Sequence, residues 1–326
     1  MNEEYIRIMK NNKRFLGYYR QVTCKVFVLG HPTQGESIIF VLYGDEQVLY
    51  SCVIDSFMIG DRIIPGEYLN KLELKKITEL FWTHPHDDHS AGILQLVDTF
   101  SPDSVYLPVE LLSLPEENES IAKEVLQQLN SYKCYDGRIK RYQPKIKEVA
   151  ANMLLHHESI WAENYLIPFK MLAIAPCSGK VRKNVLGENY ATLNDYSIVL
   201  DVNVGDFSIL LTGDVQNRMI QFLPEELSFD VPTPNILKIP HHGSSGSLSI
   251  MEIFEDDFPI SASITTAKRS SGLPRDDAMR CYASRSQKTF KIDTDTTECA
   301  IWGVEVNILN HSITQIAQEN YYEFSS

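Results

Sequence analysis

The segment Thr83-His84-Pro85-His86-Asp87-Asp88-His89 places three imidazoles and two carboxylates within six consecutive residues. The chain has nine histidines in 326 residues, so a third of them fall in this one stretch. Imidazole nitrogen and carboxylate oxygen are the ligands zinc uses, and manganese or iron accept them too. Three more stretches carry related chemistry. Asp55 closes the apolar run Val53-Ile54-Asp55. Asp214 closes Leu210-Leu211-Thr212-Gly213-Asp214, where the glycine permits backbone angles that turn a carboxylate inward. His241 and His242 stand together in Leu237-Lys238-Ile239-Pro240-His241-His242-Gly243-Ser244-Ser245.

Each of these stretches begins at the end of a predicted strand. Leu80-Phe81-Trp82 reads as the end of a buried strand, and Ser90 to Val97 as the start of a helix with an apolar face. A strand-to-helix turn can gather side chains around one point. Upstream, three strand-like runs cover Val22 to Leu29, Ser37 to Tyr43 and Gln47 to Ile54, with Gly44-Asp45 as a hairpin turn. A helix is expected from Pro65 to Lys76, a strand over 103–107 and helical residues over 109–133. A basic, irregular segment follows over 134–150. Strands then dominate: near Met153, Met171 to Ala175, Tyr196 to Val202, Phe207 to Leu211, Asn235 to Ile239, Ala262 to Thr266, Ala300 to Leu309 and Ile313 to Ala317. Helices intervene near Leu248 to Phe254 and Asp276 to Ser284. Residues 1–20 are expected to form a short amphipathic helix or arm, and 21–326 one domain with an inserted helical and basic segment near 109–150. Two sets of strands with interspersed helices suit a sandwich of two sheets with helices outside, an α/β (α+β) class.

Bulk properties narrow the function. The net charge of −13 argues against a broad surface for duplex DNA, because phosphate binding needs Lys and Arg neutralisation. A nucleic acid held in a narrow site by metal ions stays compatible. No window approaches the roughly 18 apolar residues of a membrane span. Met1-Asn2-Glu3-Glu4 leads into no apolar secretory region. The six cysteines are scattered without a Cys-x-x-Cys pair, which fits a reducing cytoplasm.

His84-x-His86-x-Asp88-His89 resembles the signature of the metallo-β-lactamase superfamily, and the rest of the chain supplies partners in that family's order. The resemblance implies an αββα four-layer sandwich. It implies that His84 and His86 serve one metal site and that Asp88 and His89 serve a second. Asp214 is then the carboxylate bridging the two. Asp55 would accept the far N–H of a metal-bound imidazole and fix its ring. The third histidine of the first site has no counterpart in Leu172 to Gly179, where Pro176 stands; His156 and His157 lie earlier as stand-ins. For the second site His241 is the favoured ligand, with His242 nearby as proton donor or phosphate contact; spacing leaves the exchange of the two open.

His241-His242-Gly243-Ser244 and Asn194-Asp195-Tyr196-Ser197-Ile198-Val199-Leu200 resemble the subgroup typified by the metallo-β-lactamase domain of the DNA-uptake protein ComEC. Two departures stand out. The subgroup's Gly-Gln-Gly-Asp reads Thr33-Gln34-Gly35-Glu36 here, and its C-terminal histidine is replaced in Gly272-Leu273-Pro274-Arg275. The membrane channel of the uptake protein is missing.

The resemblance implies a metal-dependent hydrolase, read as a phosphodiesterase or nuclease, with one or two zinc ions or with manganese. A bound metal lowers the pKa of water from about 15.7 towards about 7. Asp88, Asp214 and His242 are the expected catalytic residues. Asn194, Lys238 and Ser244 are expected to contact substrate, which would be a phosphodiester such as single-stranded nucleic acid. Two alternatives differ in class. One is hydrolysis of a small ester or thioester. The other is a subunit that is weak alone and regulated by a protein partner.

Overall fold

The computed structural model describes residues 15–113, 120–133, 143–185, 192–228, 230–254 and 258–324. Most strands lie in two large mixed sheets. One has nine strands, in the order Phe15–Tyr19, Met153–Ala162, Tyr165–Ala175, Val199–Val204, Phe207–Leu211, Ile236–Lys238, Ile260–Thr266, Ser286–Ile292 and Tyr321–Glu323. The other has eight, in the order Ser312–Glu319, Ala300–Asn307, Val22–His31, Gly35–Gly44, Gln47–Ile54, Glu79–Phe81, Ser104–Pro108 and Lys145–Val149.

Strand alternation divides the core into layers. Cys24, Val26 and Val28 join Phe40, Leu42, Phe169, Leu200 and Trp302 between the sheets. Their neighbours Phe27 and Leu29 point the other way, into a cluster with Ile64, Leu69, Leu96 and Phe100 from helices. Because both faces are covered, these strands read as continuous apolar runs rather than alternating ones. The helix Ile93–Phe100 shows the complementary rule. Ile93, Leu96, Val97 and Phe100 are its buried residues, at the spacing of one helical face. Fully burying each such side chain contributes roughly 1.5–3 kcal/mol. The result is the αββα sandwich of the metallo-β-lactamase fold.

Several expected elements shift. Residues 1–14 lie outside the described residues, and Phe15–Tyr19 is a strand, not part of a helix or arm. It pairs in parallel with Met153–Ala162, where exposed backbone groups at a sheet edge find partners. Of the inserted segment, Ile121–Lys133 is helical and Lys145–Val149 is a strand added to the sheet edge; 134–142 lie outside the described residues. The expected helix near Leu248 is the 3-10 helix Ser245–Glu252. Among the described residues no helix is long and apolar enough to cross a membrane.

Candidate metal centre

Parallel pairing sets the location. Gln47–Ile54 and Glu79–Phe81 run in parallel with Ile54 opposite Phe81, so Asp55 and Thr83 leave the same sheet edge together. In the other sheet Phe207–Leu211, Ile236–Lys238 and Ile260–Thr266 are parallel neighbours. Their ends deliver Asp214, His242 and Thr266 to that same region. Backbone strain sits here too. Asp55, His241 and His242 have φ of 58°, 48° and 53°, a left-handed conformation that costs of order 1–3 kcal/mol for non-glycine residues. Gly35 makes a close approach: a Cβ on it would lie 2.0 Å from the Asp88 carbonyl oxygen.

Four atoms converge. His89 Nε2 lies 3.8 Å from Asp88 Oδ2 and 3.6 Å from Asp214 Oδ2. His242 Nε2 lies 3.5 Å and 3.6 Å from the same two oxygens. Ligands held about 2.0–2.3 Å from one ion in a tetrahedron are about 3.3–3.8 Å apart. His89 Nε2, His242 Nε2 and both Asp214 oxygens are buried with no hydrogen-bond partner. A fully buried carboxylate without donors is costly unless a cation meets it. The donor set therefore fits a divalent cation.

The rings are aimed by a device used twice. His84 Nδ1 lies 2.9 Å from Thr83 Oγ1, which donates to Asp55 Oδ2 at 2.6 Å. His242 Nδ1 lies 2.9 Å from Thr266 Oγ1, which donates to Glu36 Oε2. In each chain imidazole N–H, hydroxyl and carboxylate follow in order, leaving Nε2 with its lone pair facing the cluster. Asp55 also takes His89 Nδ1 directly at 2.8 Å, and its other oxygen accepts Thr83 N–H at 2.7 Å. Glu36 is held in turn by the fully buried Lys238, 2.9 Å away.

A weaker grouping adjoins this one. His84 Nε2 lies 3.8 Å from Asp214 Oδ2 and 3.0 Å from His86 Nδ1. Among the described residues no further His, Cys, Asp or Glu completes the set His84, His86 and Asp214. His156 is far removed in role: it is taken by Glu79 and Glu158.

Charges follow the packing. Burial lowers the pKa values of His84, His86 and His241, favouring their neutral forms. Burial works against the charge on His89, yet Asp214, Asp55 and Asp88 outweigh it and hold its pKa above the usual value. Burial likewise opposes the charges of Asp88 and Asp214; His89 for the first, and His242 and His89 for the second, hold both carboxyls below the usual range.

The structure sorts the other expected site residues. His242, and not the favoured His241, reaches the four-atom cluster. His241 Nδ1 lies 2.8 Å from Gln216 Nε2, and its Nε2 is 3.4 Å from the Asn194 amide. Lys238 is buried against Glu36 and Ile239 O instead of facing a substrate. Ser244 caps the 3-10 helix by accepting Gly246 N–H at 3.2 Å. Asp87 accepts Ala122 N–H at 3.2 Å, joining the histidine loop to the helix Ile121–Lys133. Sequence reasoning did not single out Thr83, Thr266, Gln216 or Lys268, and it took Glu36 only as a departure from a pattern. The one available signal was position, since Thr266 ends a strand that runs beside Ile236–Lys238.

Residues 32–153 match the model of the metallo-beta-lactamase superfamily, and the chain carries a domain of that superfamily. The match holds Glu36, Asp55 and the His84–His89 loop; Asp214 and His242 lie beyond it. No curated protein matches the chain. Three solved structures are similar in fold. The metallo hydrolase Igni18 from Ignicoccus hospitalis is 10% identical, with a TM-score of 0.43, covering 86% of this chain and 98% of its own. A diphosphatase from the PhnP family is 15% identical, with a TM-score of 0.38, covering 80% of this chain and 91% of its own. An archaeal metallo-beta-lactamase superfamily protein from Sulfolobus tokodaii is 16% identical, with a TM-score of 0.30, covering 58% of this chain and 62% of its own. At these identities and scores the likenesses carry no weight for function.

Proposed function

We propose that the chain is a metal-dependent phosphodiesterase or nuclease whose principal ion is held by Asp88, His89, Asp214 and His242. The observation that carries the reading is that His89 Nε2 and His242 Nε2 each lie 3.5–3.8 Å from Asp88 Oδ2 and Asp214 Oδ2, with both nitrogens and Asp214 Oδ2 buried and unpartnered. His84 and His86 would hold a second ion more loosely, sharing Asp214. The donors are imidazole and carboxylate with no thiolate, a set that takes zinc or manganese. A bound divalent cation supplies Lewis-acid charge stabilisation and lowers the pKa of water towards about 7.

The chain's own residues divide the remaining work. Asp55 and Glu36 keep the ligand rings in register through Thr83 and Thr266. Asp88 and Asp214 carry the negative charge that draws the cation in. His241, neutral because burial disfavours its charge, stands beside the cluster as the base that takes the proton of the attacking water. Asn194, whose Nδ2 lies 3.4 Å from His241 Nε2, orients the same imidazole or donates to a phosphoryl oxygen. The phosphodiester class rests on the ComEC-like pattern of residues 194–200 and 241–244. The five described cysteines form no disulfide, in keeping with a cytoplasmic setting.

Elemental analysis of protein purified without added metal, beside hydrolysis of a chromogenic phosphodiester in zinc and in manganese, tests the reading. One to two ions per chain with turnover support it. His242→Ala should lose the ion, whereas His241→Ala should keep it and slow turnover by about 10²–10⁴. Turnover on thioesters alone would move the assignment to that class. A full ion complement with no turnover until a protein partner is added would favour the regulated subunit.

A further inference from the structure

Lys268 lies two residues beyond the strand Ile260–Thr266, and its backbone is pinned. Its N–H donates to Leu273 O at 3.0 Å, and Leu273 N–H returns to Lys268 O at 3.1 Å. The next residue, Arg269, donates its N–H to Pro32 O at 2.8 Å. The main chain therefore fixes where the ammonium can reach. Its Nζ forms an ion pair with Asp88 Oδ2 at 2.6 Å. Beside it is a cavity of about 20 Å³, lined by His31, Thr33, Asp88, His242, Lys268 and Ser270 among others. Such a space holds about one water-sized group. Lys268 is the lysine or arginine lining this cavity. Nearby cations are committed elsewhere: Lys238 to Glu36, and Arg269 to Asp293 and Asp295.

Asp88 Oδ2 thus belongs to two claims, one as a member of the four-atom cluster and one as the partner of an ammonium. Like charges on a single oxygen repel, most strongly where water is scarce. We propose that Lys268 is a charge-exchange positioning residue. It neutralises Asp88 in the metal-free protein. When a divalent cation takes over that neutralisation, the ammonium turns into the adjoining cavity and holds an anionic oxygen of the substrate. The chain would thereby favour anionic phosphoryl groups over neutral esters. The substrate half of this proposal rests on the phosphodiesterase reading.

Lys268→Gln and Lys268→Arg test it, since the second keeps the charge and the residue is partly exposed. Calorimetric titration of the metal-free protein with Mn²⁺ should show Lys268→Gln binding about 10-fold tighter, with Lys268→Arg close to wild type. Inorganic phosphate should bind the Mn²⁺-loaded Gln variant about 10-fold more weakly, the loss of one charge-assisted hydrogen bond. KM for bis(p-nitrophenyl) phosphate should rise by a similar factor, while p-nitrophenyl acetate is unaffected. Unchanged metal and phosphate affinities in Lys268→Gln overturn the proposal. Tighter metal with unchanged phosphate overturns its substrate half. A wild-type protein that cleaves no phosphodiester removes the proposed function, yet the two binding titrations still decide the role of Lys268.

Discussion

The short strand Glu79–Phe81 has a cluster of histidine and buried carboxylate at each end, and the two clusters differ in one respect. Beyond its far end lie His89, Asp214 and His242, with lone pairs that meet no donor. At its start lies Glu79, whose Oε2 accepts from Tyr50 Oη and His156 Nε2, both at 2.7 Å, and whose Oε1 accepts from Tyr106 Oη at 2.9 Å. His156 gives its second N–H to Glu158 at 3.0 Å and stacks on Phe169. Both ends use the same residue types at similar burial. Residue type therefore does not separate a ligand site from a structural network. Satisfaction does: every polar atom of Glu79 and His156 is matched within the protein, while the other cluster matches its atoms only when something is added.

The comparison can be broken in several ways. The largest effect is expected from Asp214→Asn. It should abolish metal uptake, measured by elemental analysis, and cut turnover by more than about 10³-fold. The melting temperature of the metal-free form should hold or rise, because an unpaired buried carboxylate has gone. A clear fall would mean that Asp214 is structural after all. Glu79→Ala should do the reverse. It strands His156 and two tyrosine hydroxyls, so a denaturant titration should lose about 3 kcal/mol while metal content stays unchanged.

Acidity separates the two ends more gently. Burial opposes a charged His156, but Glu158 and Glu79 win, and its pKa is raised to about 9. A raised folded-state pKa gives stability that is complete below the unfolded value near 6.5. That stability fades as pH climbs through about 9. The loss should be about 2 kcal/mol between pH 6.5 and 9.5, and His156→Gln should flatten the curve. His84 and His86 are shifted the other way, so metal affinity should hold at the usual histidine pKa and weaken only at lower pH, where they protonate. The smallest effect is expected from Thr266→Val, which breaks only the relay from His242 to Glu36. About a 10-fold loss of metal affinity by calorimetry would fit a ring that has lost its support.

What the sequence disclosed follows from distance along the chain. The His84–His89 loop is local, so its composition alone exposed it. Asp214 was legible because a glycine precedes it at a strand end. The order of strands and the double layer were legible because runs such as Ser37 to Tyr43 are apolar on both faces. The choice between His241 and His242 was not. Two successive left-handed residues set which ring turns inward, and adjacent identical residues give no cue. Glu36, Thr266 and Lys268 come from separate strands and loops, and only the pairing of sheets brings them to the cluster. His156 had the right residue type and the wrong surroundings, which periodicity cannot reveal.

The donors are also divided between the sheets. His84, His86, Asp88 and His89 follow a strand of one, and Asp214 and His242 follow strands of the other. Neither sheet alone owns a complete ligand set, so tight ion capture is a coincidence signal that the two halves have closed on each other. A chain cut in the turn between Gly205 and Asp206 would leave half the set on each fragment. Mixing the pieces should then restore ion binding and the folded sandwich in one step, making the metal a built-in reporter of assembly.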